Sequence, residues 1–286
     1  MTVDEPLAIF AALRPRLFGI AYRMLGSAAE AEDVVQDAWV RWSGAAQREI
    51  EDPTGFLVTM VARQALDVLG SARVRRAAYV GPWLPEPIAT APTTDPHALS
   101  LAFLHLLERL TPAERAAYLL VEVFDYRHAE VAAMLGKTEA GCRQLVARAR
   151  KAVRAGRPRP VAPDAHQRIL VEFLSACASG DVAGLARMLA DDVACLSDGG
   201  GRVTAARRVV TGPDRVARMM IGLARKQAGT APRLVWLNGE PALVLAAAEG
   251  IAAVVTVAVV EARIATICLV RNPDKLRGLA APRDVG

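Results

Sequence analysis

The stretch Thr111 to Arg154, TPAERAAYLLVEVFDYRHAEVAAMLGKTEAGCRQLVARARKAVR, carries the punctuation of three short helices and two turns. Thr111-Pro112-Ala113-Glu114 combines an N-cap hydroxyl, a proline at the first helical position and a glutamate placed to close a capping box. Ala116, Leu119, Leu120, Val123 and Phe124 then give a first apolar helix ending near Asp125. A short second helix uses Ala129, Val131, Ala132 and Leu135. Gly136 turns the chain and Thr138 caps a third helix, with Cys142, Leu145, Val146, Ala149 and Val153 on one face. Arg143, Arg150, Lys151 and Arg154 occupy the opposite face. A solvated helical hairpin would also show a basic face. The capped first helix, the short second helix and the glycine turn together favour a helix-turn-helix whose last helix enters the major groove of DNA.

The 286 residues suffice for more than one domain, and 53% hydrophobic content argues against wholesale disorder. Charge is unevenly placed. Arg143 to Arg159 holds only positive charges, whereas Glu30 to Asp37 is acidic, which fits one nucleic-acid face and a separate protein-binding face. Cys142, Cys177, Cys195 and Cys268 lack metal-ligand or CxxC spacing and read as apolar fillers of a reduced, cytoplasmic protein; no metal or cofactor is expected. Asp4 and Glu5 stand where an export signal would be basic and then apolar, so no export is expected. Leu243 to Val260 tempts as a membrane span, but Glu249-Gly250 splits it into two strands, and no membrane partner is expected.

Working back toward the N-terminus, Leu7 to Leu25 is an amphipathic helix stopped by Gly26. Ser27 caps Ala28 to Trp42, with Val35, Trp39 and Trp42 on one stripe. The acids Glu32, Asp33 and Asp37, with Gln36, either complement that helix's dipole or dock a partner. Asp52-Pro53 caps Thr54 to Leu69, with Phe56, Leu57, Met60, Val61, Val68 and Leu69 inward and Arg63, Gln64 and Asp67 outward. The segment beyond, Ser71 to Tyr79, sets Arg73, Arg75 and Arg76 beside an aromatic, a pairing suited to single-stranded DNA. Gly81 to Pro96 (GPWLPEPIATAPTTDP) is an extended, proline-stiffened linker in which Trp83 and Leu84 are expected to dock on a domain surface.

In this order and spacing, Ala21–Gly26 (AYRMLG), Ala31–Asp37 (AEDVVQD), Ala62-Arg63 with Asp67, and Leu110 to Arg150 resemble an RNA polymerase sigma factor of the sigma-70 family, extracytoplasmic-function group. The resemblance implies that Glu32, Asp33, Gln36, Asp37 and Trp39 dock core RNA polymerase at its clamp helices, with the flap as a further contact. It implies that Arg63, Gln64, Asp67, Arg73, Arg75 and Arg76 read and melt the −10 element. The −35 element falls to Thr138, Glu139, Arg143, Gln144, Arg148 and Lys151. Gln64, where relatives often carry Asn, and Val68-Leu69-Gly70, where many are more basic, depart from the pattern.

GRPRPVAP (156–163) is a second breaker-rich linker. Helices at Gln167–Ser179 and Val182–Leu189, a strand at Val193–Leu196, a helix from Gly212-Pro213 to about Lys226, and strands at Arg233–Leu237, Ala242–Ala247, Ile251–Val259 and Ile264–Val270 predict an α+β half-barrel. This part resembles the SnoaL-like fold fused to a subgroup of these sigma factors. Trp83-Leu84-Pro85-Glu86-Pro87, Asp198-Gly199-Gly200-Gly201 and Asn272-Pro273-Asp274-Lys275-Leu276 are the subgroup's signatures, and the resemblance implies control in cis without a separate anti-sigma protein. The expected fold class is therefore multidomain: two all-α helical sigma domains, the second a helix-turn-helix, and an α+β SnoaL-like cone. Its boundaries are 1–80 for region 2, 81–97 for the linker, 98–156 for region 4 and 164–286 for the regulatory domain.

The reading is a promoter-specificity subunit rather than an enzyme. His166 is the one histidine of the extension, and Asp192 and Asp198 lie where turns use aspartate routinely. The alternatives are a one-component regulator whose cone senses a small ligand, and a cyclase-like enzyme with a DNA-binding appendage. The first leaves the acidic Glu30–Asp37 helix unexplained; the second lacks histidines.

Overall fold

The computed structural model describes residues 4–44, 50–91, 100–154, 161–226, 232–247 and 250–279. By its contacts the chain divides into two units: Met1–Ala77 with Leu106–Gly156, and Ala78–His105 with Arg157–Gly286.

The first unit is helical. It contains α1 (Asp4–Leu25), α2 (Ala28–Ser43) and α3 (Pro53–Ala77). After α4 (Leu101–Leu107), which runs across the division, come α5 (Pro112–Glu122), α6 (His128–Leu135) and α7 (Glu139–Arg154). The starts of α2, α3, α5 and α7 have the chemistry their sequence advertises. Ser27 Oγ accepts from Glu30 N, Asp52 Oδ1 from Gly55 N at 3.0 Å, and Thr111 and Glu114 close their box reciprocally. Thr138 Oγ1 accepts from Gly141 N at 3.1 Å. Gly136 ends α6 at φ 62°, a left-handed turn that costs glycine little. Leu17, Ile20, Tyr22, Met24, Val34, Trp42, Leu57 and Val61 are buried. Each large aliphatic side chain so removed from water contributes about 1.5–3 kcal/mol.

Two expectations need correcting here. α3 continues from Leu69 to Ala77, because Leu69 and Ala72 keep the buried stripe going and Gly70 faces open space; the basic segment is therefore helical. Phe56, expected inward, is 37% exposed.

The second unit comprises α8 (Pro163–Ser179), α9 (Val182–Met188), β1 (Leu189–Asp198), β2 (Val210–Thr211), α10 (Pro213–Lys226), β3 (Arg233–Leu237), β4 (Glu240–Ala247), β5 (Gly250–Val260), β6 (Arg263–Val270) and α11 (Pro273–Leu276). Among the described residues the sheet has six strands in the order β2-β1-β6-β5-β4-β3. The expected four-strand meander is present as β3 to β6, but β1 joins it parallel to β6 and extends back to Leu189. Strand alternation divides the apolar side chains between two faces. Val255, Val257, Ile267 and Leu269 face a core closed by α8, α9 and α10. Val244, Val254, Cys268 and Val270 face a second core closed by Leu84, Leu101, Leu276 and Leu279. Covering both faces is why these strands read as continuous apolar runs. Among the described residues no helix is long and apolar enough to cross a membrane.

Candidate functional site

On α7 the buried stripe is the one expected: Cys142, Leu145, Val146, Ala149 and Val153. That turns Thr138, Glu139, Arg143, Gln144, Arg148 and Lys151 outward, and all six are exposed. Two of the arginines already have carboxylate partners. Arg143 pairs with Glu139 one turn back, and Arg148 Nε donates to Glu114 Oε1 at 2.8 Å. Glu114 also accepts from the Thr111 backbone at 3.0 Å, so one carboxylate closes the α5 capping box and steadies α7. Arg150 is held the same way by Glu122 at 2.5 Å.

On α2, Glu32, Asp33, Gln36 and Asp37 are exposed, while Trp39 is half-buried against Phe10, with ring centroids 5.1 Å apart. Gln64 Nε2 on α3 donates to Asp37 Oδ2 at 2.7 Å, joining an expected promoter residue to an expected polymerase residue. Arg63, Gln64 and Asp67 line a cavity of about 470 Å³ with Arg41, Phe56, Thr59 and Met60. None of those last four is a site candidate from sequence: Phe56 and Met60 read as core positions, and only the 37% exposure of Phe56 marks it otherwise.

The same unit holds helix-turn-helix and three-helix segments against each other. Arg63 Nε donates to Met134 O at 2.6 Å and Nη2 to Ala133 O at 3.1 Å, so the guanidinium caps carbonyls near the end of α6. The Arg16 guanidinium lies over the Tyr126 ring and that of Arg23 over Phe124, each 5.1 Å from the centroid. Behind these sits an ion network. Glu108 accepts from Arg76 Nη1 at 2.6 Å and from Arg115 Nη1, and Arg115 spans to Arg23 O through Nε and Nη2 at 3.1 and 3.0 Å. Arg76 also bonds Leu25 O. Arg115 is 1% exposed. Burial pushes the Glu108 carboxyl up, and the Arg115 and Arg76 guanidiniums more than offset it, holding it below the usual carboxylate range. Arg76, expected at the promoter, is thus engaged inside the unit. Arg75 pairs with Glu30 at 2.5 Å.

In the second unit the three signature segments meet on one carboxylate. Asp198 is fully buried. Its Oδ1 accepts from Tyr79 OH at 2.6 Å and Gly200 N at 3.0 Å, and its Oδ2 from Leu84 N at 2.8 Å and Lys275 Nζ at 2.7 Å. The Lys275 ammonium also bonds Leu84 O and lies 4.1 Å from the Trp83 ring centroid. Asn272 Nδ2 donates to Tyr79 OH at 2.9 Å, while its Oδ1 caps α11 through Asp274 N. Gly200 has φ 59°, and a Cβ there would lie 2.3 Å from Asn272 Nδ2, so the loop requires glycine at that point. Gly199 and Gly201 flank it. Leu84, Pro85 and Pro87 are buried, Glu86 and Leu276 pack nearby, and exposed Asp274 pairs with Arg202 at 3.3 Å and Arg277 at 2.7 Å. Tyr79, expected to stack on a base, belongs instead to this knot. Burial and then the Asp198 hydrogen bond push its phenol well above the ordinary value. Of the other extension candidates, His166 Nε2 meets Val257 O at 2.8 Å in the core, and Asp192 is exposed.

Comparison with known proteins agrees with this anatomy. Residues 9–76 match the family Sigma-70 region 2, and residues 100–153 match Sigma-70, region 4. The chain is 37% identical, over 94% of its own length and 92% of the relative's, to the ECF RNA polymerase sigma factor SigJ of Mycobacterium tuberculosis. It is 31% identical to the probable ECF RNA polymerase sigma factor SigI of the same species, over 98% of each chain. The crystal structure of Mycobacterium tuberculosis SigJ superposes with a TM-score of 0.79 at 34% identity, covering 96% of this chain and 100% of that one. The ordered sigma-70 regions and these near full-length likenesses place the chain in the extracytoplasmic-function group of RNA polymerase sigma factors, the subunits that direct transcription initiation.

Proposed function

We propose that this chain is a promoter-specificity subunit whose two DNA-reading parts hold each other closed until core RNA polymerase separates them. The carrying observation is the Arg63 guanidinium, bonded to Met134 O and Ala133 O. A side chain assigned to the −10 element cannot serve it while capping the helix-turn-helix. Once separated, the cavity beside Arg63, Gln64 and Asp67 has the Phe56 ring and polar edges suited to an unstacked base. Arg75 adds charge for phosphates; Arg73, assigned with it, has a side chain outside the described residues. Thr138, Glu139, Arg143, Gln144, Arg148 and Lys151 meet the −35 major groove. A bidentate arginine contact to guanine discriminates by about 1–3 kcal/mol. Glu32, Asp33, Gln36, Asp37 and Trp39 form the exposed surface for the polymerase clamp helices, with the flap receiving the helix-turn-helix.

Control lies in the Asp198 knot, through which Tyr79 and the linker's Trp83 and Leu84 are bound to the extension; no separate anti-sigma protein is needed. The extension is not an enzyme. Its histidine is spent on Val257 O, and Asp198 is neutralised by Lys275. A sensed ligand gains no support, since the sheet face toward α8, α9 and α10 is packed with apolar side chains.

The test uses fluorophores on exposed α2 and α7 positions of the full chain, followed by energy transfer as core polymerase and promoter are added. The separation should increase together with promoter-specific transcription. Transcription at an unchanged separation would exclude the closed-to-open mechanism, and no promoter-specific transcription at all would exclude the function. Asp274→Ala with Lys275→Ala should alter promoter activity at equal protein level; unchanged activity would count against control through the knot.

A further inference from the structure

Residues 202–226 contain six arginines and Lys226 against Asp214 as the sole acid; apart from Arg202, which pairs with Asp274, none of the roles above uses that charge. Most of that charge is organised by α10. Val216, Ala217, Met220 and Ile221 are buried against the core, so helical period sends Arg215, Arg218, Arg225 and Lys226 to the outer face, where all four are exposed. Arg218 is paired with Asp214 at 2.9 Å, a contact in which both side chains are well exposed. Such a pair is worth little and exchanges readily for a stronger anion. Gly222 lies between the two ends of this face, and a Cβ there would meet nothing within 4 Å. The middle of the stripe is therefore bare backbone that a partner can approach closely. Arg207 and Arg208, both exposed, lie in the chain that leads into β2 and α10.

We infer that the outer face of α10 is a second, sequence-independent grip on the phosphate backbone of duplex DNA. The stripe from Arg215 to Lys226 runs about 16 Å at 1.5 Å per residue. A duplex presents one negative charge about every 1.7 Å of axis, so the face spans some ten phosphates' worth of charge. Charge complementarity thus selects a dense linear polyanion. A protein partner fits less well, because a protein interface needs apolar or aromatic anchors at its centre and none of the exposed large hydrophobic residues lies on α10. Arginine and lysine contacts to phosphate oxygens position a duplex without reading its sequence. The extension then contributes affinity to promoter binding while the helix-turn-helix contributes selectivity.

The experiment measures the affinity of the full chain for promoter and scrambled duplexes from 50 to 200 mM salt. It compares the natural chain with Arg215→Gln/Arg225→Gln/Lys226→Gln and with the equally charged control Arg168→Gln/Arg187→Gln/Arg263→Gln. Circular dichroism checks that each variant folds. Three phosphate contacts steepen the salt slope by about 2.7, so the natural chain should lose about 40-fold more affinity than the stripe variant across that range. The difference should be the same on both duplexes, and the control should behave as the natural chain. Several results would overturn the inference: equal slopes, an equal effect of the control, loss confined to the promoter duplex, or no binding of the natural chain to DNA even at 50 mM. An effect seen only when core polymerase is present would assign the stripe to a protein surface instead, and would also overturn it.

Discussion

Replacing Glu108 by Gln tests the ion network that joins the two helical parts of the first unit. The amide keeps the shape and one acceptor oxygen but removes the charge that Arg115 and Arg76 share. Those side chains are 2% and 13% exposed, and Glu108 is 20% exposed, so solvent can compensate only in part. Removing one partner of a buried ion pair costs about 3–5 kcal/mol. The bonds from Arg115 to Arg23 O survive, which places the cost near 3 kcal/mol, about two powers of ten in the opening equilibrium. Hydrogen exchange on the full chain reads this locally: amides of α5 should exchange roughly 100-fold faster at pH 7. The pH dependence supplies a sign. The folded carboxyl titrates below its ordinary 4.5, so its stabilisation is present above that value and is lost as pH falls through the folded pKa. The gap between natural chain and variant should therefore narrow in acid. Equal protection at pH 7, or a gap that does not change between pH 7 and pH 3, would refute the network's role.

Other positions give equally direct outcomes. Asp198→Asn leaves the Lys275 ammonium, 12% exposed, without its counterion and should destabilise the second unit by about 3 kcal/mol, seen as a lower thermal midpoint and as exposure of Trp83 fluorescence to quencher. Glu240 has a carboxyl that burial pushes up to about 8, although the residue keeps some surface toward solvent. Its contribution is fully present below about 4.5 and is lost as pH rises through 8, so Glu240→Gln should raise the thermal midpoint at pH 9 and leave it nearly unchanged at pH 4. An equal shift at both values would contradict that assignment.

Helix limits were legible in the sequence wherever the chain announces them chemically. The Thr111–Glu114 box, Gly136 and Thr138 are found as read, and β3 spans Arg233–Leu237 as expected. Reading failed where termination depends on packing. Nothing in Gly70-Ser71-Ala72 says that α3 continues, because the decisive fact is that Ala72 is covered. The sequence predicts a strand only from Val193, because Asp192 suits a turn, whereas Asp191 and Asp192 are exposed residues of a strand parallel to β6. At the candidate sites, exposure on α7 followed from period alone. The partners did not: that Arg63 would cap α6, or Arg76 serve Glu108, depends on pairings between residues 32 to 71 apart in sequence. Tyr79 departs from its expected role for a related reason. An aromatic beside arginines suits a base, but it suits a buried carboxylate equally, and only the fold chooses.

The linker's attachment also determines how control by the extension can be measured. Ile88 N and O bond Asn238 Oδ1 and N, Thr90 N bonds Trp236 O, and Ala89 bridges Leu237, so residues 88–90 lie along β3 and the turn after it once the chain has left the knot. Leu84 and Leu101, both 0% exposed, close a core whose other walls are strands and α11. Truncation after residue 160 would therefore do more than remove a regulator. It would strip the cover from Leu84 and Leu101, each worth about 1.5–3 kcal/mol of burial, and leave the Trp83 segment without partners. Such a chain should bind a hydrophobic dye and lose solubility, and any fall in its transcription would mix damage with lost control. Lys275→Ala disturbs the same knot while leaving the apolar core in place. If the truncated chain proves monodisperse and dye-negative, the linker is held independently of the extension, and the view that the Asp198 knot carries control fails with it.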